Sequence, residues 1–394
     1  MRRKNSGVID DKALLHTTTG QTKGAGLEGV VVARSTITSI DGQQGILRYR
    51  GIDIKELVKK SNYEEVAYLL WRGKLPTKLE LASFKRELAK YRTLPKDVLN
   101  LLKMTPKAAN PMEVTRTTVS FESALPNKKG ESFEDANMRK AFQLLAGIGS
   151  MVATYHRVRN GRRPVKPDSQ LGHAGNFLYL LTAKKPDDYS EWAYDKVCIL
   201  YGDHEMNAST FALRVTCSTL ADIGGAVTSA IAALAGPLHG GANQMAMEMM
   251  EKIGSVRNVE SFLDGELAAG NKIMGFGHRV YRTDDPRALI LKDIARKFAE
   301  KDAETRKWLE IAERTEAVMW EKRKIKPNIE FYAGVVLKAL GVPNDVMPAI
   351  FACNRIAGWV AHYFEQYADN RIIRPVSEYV GPVEQPYVPI NDRS

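Results

Sequence analysis

The sequence predicts a mainly α-helical protein with a small β hairpin near its start. Three observations carry this. Only residues 30–49, VVVARSTITSIDGQQGILRY, have a strand-like pattern, with β-branched residues on either side of the turn signal Asp41-Gly42. After Gly51 the chain changes to helix-start signals followed by apolar residues three and four apart. Nowhere does strand alternate with helix as a parallel sheet requires, and no repeat of fixed period occurs.

The elements follow in order. Residues 1 to about 25 are polar and rich in Gly and Thr, and read as a loosely docked arm. Asp53 with Glu56, Ser61 with Glu64 and Thr77 with Glu80 each fit a capping box. The third opens a helix with Leu81, Phe84, Leu88 and Tyr91 on one face, which Pro95 stops. Helical stretches broken by Gly and Pro continue to the end. Residues 205–235 are rich in Ala, Ser, Thr and Gly, so the helices there are expected to pack tightly, within the chain or between subunits. From Arg374 onward the prolines are too many for a helix, and the tail is expected to run extended over a surface.

Composition narrows the function. The length of 394 residues suggests two or three core-forming units, and a content of 44% hydrophobic and 26% charged residues can support a core. Lys and Arg number 57 against 46 Asp and Glu, a net charge of +11 that suits an anionic partner. The densest basic cluster runs from His156 to Lys166, with Arg157, Arg159, Arg162 and Arg163, and reads as a solvated loop. No helix-turn-helix or RNA-binding aromatic signature accompanies it, so no nucleic-acid partner is expected. No apolar run reaches about 18 residues, so no membrane span is expected. Cys198, Cys217 and Cys353 are few and far apart, which fits a reducing compartment rather than a disulfide framework. Metal-type Cys or His spacing is missing. The basic start MRRKN lacks a signal peptide's apolar core. A cytoplasmic location is expected, with an organellar matrix as the alternative.

The candidate chemistry lies in three histidines and a set of arginines. His204 sits in GDHEMNAST, before a helix capped by Asn207 or Ser209. His239 sits in GPLHGGAN and His278 in GFGHRVYRTDDPRA, where glycines let backbone and ligand approach the imidazole. A histidine met singly is more often structural. Arg282 and Arg287 follow His278 closely, and Arg355 and Arg374 lie near the end. Arginines suit bidentate capture of carboxylates and phosphates, so the combination points to a small polyanionic substrate. Gly275-Phe276-Gly277 lacks the third glycine of a dinucleotide fingerprint, and no P-loop or nucleophile elbow is present.

Taken together, GLEGVVVARSTITSIDGQQGILRYRGIDI, DHEMNASTF, GPLHGGAN, GFGHRVYRTDDPRA, KPNIEFYAG and NRIAGWVAHYFEQ resemble the citrate synthase family, which includes 2-methylcitrate synthases. The stretches occur in family order over about residues 26 to 382, and the length resembles the shorter dimeric members. The resemblance implies a two-domain helical fold: an arm at 1–25, a large domain at 26–221 and 328–394, and a small domain at 222–327. It implies condensation of acetyl-CoA with oxaloacetate and water to give citrate and CoA, without metal or redox cofactor, in a homodimer.

The resemblance also implies the roles. His239 stabilises the enolate of the thioester, His278 polarises and protonates the keto group, and a carboxylate takes the methyl proton. His204, Arg287, Arg355 and Arg374 hold substrate carboxylates, Arg374 reaching in from the partner subunit, and Arg282 contacts the CoA phosphates. One position departs from the pattern, since Glu330 stands where the family has Asp. The extra methylene shifts the carboxylate by up to about 1.5 Å, one carbon–carbon bond, and a reduced rate is expected. Two other readings stay open: a 2-methylcitrate synthase using propionyl-CoA, and a degenerate protein that binds oxaloacetate or CoA without turnover.

Overall fold

The computed structural model describes residues 25–27 and 29–393. The arm and the basic start therefore lie outside the described residues, apart from Ala25. By contact density the chain divides into two units, Met1–Thr36 and Ile37–Ser394. In the first, the described residues hold one 3-10 turn, Ala25–Leu27, and otherwise irregular backbone.

The second unit opens with three short antiparallel strands, β1 Thr38–Asp41, β2 Ile46–Tyr49 and β3 Ile52–Asp53, in the order β1-β2-β3. Thr38 faces Tyr49, and Arg48 faces Asp53. Along β2, Leu47 and Tyr49 point into the core. The strand-like run starting at residue 30 is thus paired only from Thr38. Val30 and Val31 are 48% and 86% exposed, so the β-branched residues at the start of the run do not enter the core, whereas Ile37 is fully buried. The turn is also longer than two residues. The Asp41 carboxylate accepts the N–H groups of Gln43 (3.0 Å) and Gln44 (2.9 Å), which opens a loop over residues 42–45.

The rest is helical. The first eight helices are α1 Ile54–Lys60, α2 Tyr63–Arg72, α3 Lys78–Lys90, α4 Lys96–Met104, α5 Pro111–Ala124, α6 Phe133–Arg159, α7 His173–Thr182 and α8 Asp188–Tyr201. Then come α9 Ala208–Ser218, α10 Ile223–Leu234, α11 Ala242–Ile253, α12 Val259–Ala268, α13 Pro286–Lys301, α14 Ala303–Arg323, α15 Ile329–Ala339 and α16 Met347–Ala368. Of the expected capping boxes only Thr77–Glu80 at α3 is complete. Asp53 caps α1 through the Lys55 N–H. The cap of α2 is Asn62, not Ser61, because Ser61 closes α1 and Glu64 instead accepts the His173 N–H at 3.0 Å.

Helix α16 is buried on nearly every side and packs against α2, α6, α8, α9 and α10, as an all-round apolar helix must. The small residues of α10 permit close approach. A Cβ on Gly224 would lie 1.7 Å from the Ser123 hydroxyl of α5, and Thr216 of α9 donates to Ser229 of α10 at 2.9 Å. In the basic cluster Arg157 turns inward to the Arg163 carbonyl (2.8 Å), and Arg159 pairs with Asp345 (2.7 Å). All three cysteines are free and buried. Among the described residues no helix is long and apolar enough to cross a membrane, and no group of three or more His, Cys, Asp or Glu is arranged to hold a metal.

Candidate active site

The site forms where four irregular segments meet. The first is the turn after α8. Its core is Asp203, whose backbone exchanges hydrogen bonds with the buried Tyr49 hydroxyl: Asp203 N–H donates to it (3.0 Å), and it donates to the Asp203 carbonyl (2.8 Å). Glu205 takes a left-handed conformation (φ 52°), and Asn207 caps α9 by accepting the Thr210 N–H. This presents His204, buried, with no hydrogen-bond partner at Nε2. Burial, then the charges of Arg287 and His278, hold its pKa well below the ordinary 6.5.

The second segment, between α10 and α11, carries His239. The backbone N–H of Ser209, in the first turn of α9, donates to His239 Nε2 at 3.3 Å, and the Ser209 hydroxyl lies 3.0 Å from the same atom. Nε2 is therefore an acceptor, and the ring proton sits on Nδ1. Burial, with Arg355, lowers this histidine to about 4, so it is a neutral donor near pH 7.

The third segment, residues 275–285, carries His278. Its Nδ1 accepts the N–H groups of Val280 (3.0 Å) and Tyr281 (3.1 Å), which puts the proton on Nε2. Burial and the Arg287 charge lower its pKa to about 4. The His278 and His204 rings lie 5.3 Å apart, and Tyr281 packs against both. The 42–45 loop braces this segment, for Arg282 N–H donates to the Gly42 carbonyl at 2.8 Å.

The fourth segment leads into α15 and Glu330. It is stitched to the His278 segment. Asn328 N–H donates to Gly275 O (2.9 Å), Gly277 N–H to Lys326 O (3.0 Å), and Asn328 Nδ2 to Gly277 O (3.1 Å). Gly275 and Gly277 both have φ 81°, and a Cβ on Gly275 would meet Phe331 at 2.7 Å, so this close seam requires glycine. Burial raises the Glu330 pKa above 4.5, while the charges of Arg287 and Arg355 oppose the shift.

Arg287, at the start of α13, and Arg355, in the middle of α16, are buried within reach of these charges. Arg287 pairs with Asp285, whereas Arg355 Nε donates to the Tyr201 carbonyl at 2.6 Å, and no ion pair holds Arg355 among the described residues. Arg282 is exposed at the rim. Arg374 is not brought to this cluster. It lies exposed in the extended tail, next to Ile373, whose N–H is held by the Ser218 hydroxyl at 3.0 Å. Ser218 is at the far end of α9 from Ser209, about 13 Å along the helix axis.

The comparisons bear on this arrangement. The family model described as citrate synthase, C-terminal domain, matches residues 26–376. Citrate synthase 2 of Bacillus subtilis is 42% identical over 370 residues, covering 94% of this chain and 99% of that protein. The chain belongs to the citrate synthase family. A 2-methylcitrate synthase of Shewanella oneidensis is 38% identical, covering 94% of this chain and 98% of its own. A solved citrate synthase of Thermoplasma acidophilum, in ternary complex with carboxymethyl coenzyme A and oxaloacetate, superposes with a TM-score of 0.89 at 34% identity, covering 94% of this chain and all of that one. The mainly helical fold with a small sheet is thus that of citrate synthases.

Sequence reasoning missed three residues of this candidate site. Ser209 stands behind His239, Asp285 grips Arg287, and Tyr281 packs between the histidines. Ser209 and Asp285 occur within the quoted motifs, but nothing in their spacing announces partners across the fold.

Proposed function

We propose that the chain condenses acetyl-CoA with oxaloacetate and water, giving citrate and CoA. The observation that carries the reading is the pair of neutral histidines, each with one ring nitrogen occupied by backbone N–H and the other free to donate, beside a carboxylate of raised pKa.

In this reading Glu330 takes a methyl proton from acetyl-CoA, a role its raised pKa favours. His239 Nδ1–H donates to the thioester oxygen as it gains negative charge. The enolate carbon attacks the keto carbon of oxaloacetate, whose oxygen takes the proton of His278 Nε2. Water then hydrolyses citryl-CoA. The buried Arg355, without an ion pair among the described residues, and His204, with an orphaned Nε2, suit substrate carboxylates, and so does Arg287. Arg282 at the rim suits the CoA phosphates. No step is routed through a metal or redox group. Closure of a small domain at about 222–327 would exclude water.

Arg374 is assigned to the site of the partner subunit in a homodimer. Its distance from its own chain's histidines supports this, as do Val376, Tyr379, Val380 and Val383, all widely exposed along the tail. Inactive Arg374 and His239 variants, co-refolded, should regain activity through the hybrid site, and no recovery in verified heterodimers contradicts the assignment. A cytoplasmic location is in keeping with the bacterial and archaeal relatives.

Thiol release with oxaloacetate and either acetyl-CoA or propionyl-CoA tests the reaction. Acetyl-CoA should be preferred by roughly 10- to 200-fold, the range one methylene supplies. Preference for propionyl-CoA would make the chain a 2-methylcitrate synthase, and tight oxaloacetate binding without thiol release would make it a degenerate binder.

A further inference from the structure

Behind His204 runs a buried chain of polar groups that the reaction does not use. Asp203 and His362 are fully buried, and Arg214 nearly so. His362 Nδ1 lies 2.9 Å from Arg214 Nη1. A guanidinium only donates, so Nδ1 must accept. The ring proton then sits on Nε2, which lies 3.3 Å from Asp203 Oδ2. Arg214 is itself held from α16, by Glu365 (2.8 Å) and Gln366 (3.1 Å). The direction of every hydrogen bond in the chain is therefore fixed, from the Arg214 guanidinium through a neutral imidazole to the Asp203 carboxylate.

Asp203 is where this chain meets the site. The same Oδ2 accepts the Glu205 N–H at 3.2 Å, across the left-handed turn that carries His204. A Cβ on Gly358 of α16 would fall 2.3 Å from Asp203 Oδ1, so the carboxylate is walled in as well as bonded. The His204 imidazole has no such tether, since its Nε2 is buried without a partner. Its aim depends on the backbone of residues 203–205, and that backbone depends on Asp203.

We propose that His362 is a positioning residue for oxaloacetate binding, holding Asp203 so that the turn presents His204 to the substrate. The proposal rests on the reading of His204 as an oxaloacetate ligand. His362→Leu removes both hydrogen bonds. His362→Gln keeps both, because its amide oxygen takes the Arg214 proton and its amide nitrogen donates to Asp203.

Steady-state kinetics on the wild type, His204→Gln, His362→Leu and His362→Gln tests it. His362→Leu should raise the oxaloacetate KM by about tenfold or more, the scale for losing a group that orients a ligand-binding side chain, with the acetyl-CoA KM changed by less than about twofold. His362→Gln should restore the oxaloacetate KM to within about threefold of wild type. If His362→Leu does not fold, Asp203→Ala makes the comparison, since it removes the carboxylate that accepts from both His362 Nε2 and the Glu205 N–H, and it should raise the oxaloacetate KM alone. Equal rises in both KM values, or a glutamine variant no better than leucine, would overturn the proposal. An unchanged oxaloacetate KM in His204→Gln would instead overturn the reading of His204. A rise there, with none in His362→Leu or Asp203→Ala, would overturn only the role of His362.

Discussion

Asp285 and Arg287 form a two-point ion pair in the core of the site, Nε to Oδ1 at 3.0 Å and Nη2 to Oδ2 at 2.8 Å, each residue 2% exposed. Burial alone would lower the Arg287 pKa, but the Asp285 charge and hydrogen bonds outweigh it. The same Oδ2 accepts the Ile329 N–H at 3.1 Å, one residue before Glu330. One carboxylate thus holds both Arg287 and the start of the helix that carries Glu330.

That pairing decides how Arg287 is best tested. Removing its charge would strand a buried Asp285, so Arg287→Lys is the cleaner change, because it keeps the charge and loses the planar fork. The oxaloacetate KM should rise about tenfold or more with little change for acetyl-CoA, whereas Arg282→Ala should do the reverse. An effect of Arg287→Lys confined to the acetyl-CoA KM would contradict the assignment.

Alanine at His239 or His278 should lower turnover by at least about 10²-fold, the scale for losing a general acid or oxyanion donor. Each ring is set by backbone donors, so no neighbour takes over its proton. Near-normal turnover in either variant means that its role is misassigned.

Glu122 of α5 gives a pH-dependent outcome away from the site. It is 9% exposed, and burial pushes its carboxyl up to about 7, with Arg139 opposing. In the unfolded chain it titrates near 4.5, so folding favours the protonated form. Its contribution is fully present below pH 4.5 and is lost as pH rises through 7. Glu122→Gln should therefore stabilise the protein at pH 8, by about 3 kcal/mol at most, and the gain should fade as pH falls toward 4.5. Denaturant melts of both proteins at pH 8 and 5 check this; a gain that is larger at pH 5 has the wrong sign.

Glu330→Asp should raise turnover about tenfold or more, within the range a 1 Å correction supplies. The seam from residues 275–277 to 326–328 fixes the backbone leading into α15, so on the proposed reading the longer side chain has to fold back to reach the methyl proton. If aspartate slows the enzyme, the site has been refitted around glutamate.

How much of this was legible in the sequence depended on distance along the chain. His204, His239 and His278 stand out because glycines or a helix cap lie beside them. Their electrostatic setting does not, because it is built from far partners: Ser209 is 30 residues from His239, and His362 is 159 from Asp203. The cap of α2 was misread for the same reason. Ser61 and Glu64 have the right spacing, but Glu64 serves His173, 109 residues away. The strand pattern from residue 30 becomes a paired strand only from Thr38, since β propensity expresses packing against neighbours. Arg374 was legible as a candidate, yet its place in the tail shows no contact with His204, His239 or His278.

The turnover of Glu330→Gln tests the account most directly. An amide of the same length cannot accept the methyl proton, and it leaves the surrounding backbone unchanged. Thiol release from acetyl-CoA in the presence of oxaloacetate should fall by at least about 10²-fold, the scale for losing a general base. Release at close to the wild-type rate would show that Glu330 is not the base, and that the chemistry proposed for this cleft is wrong.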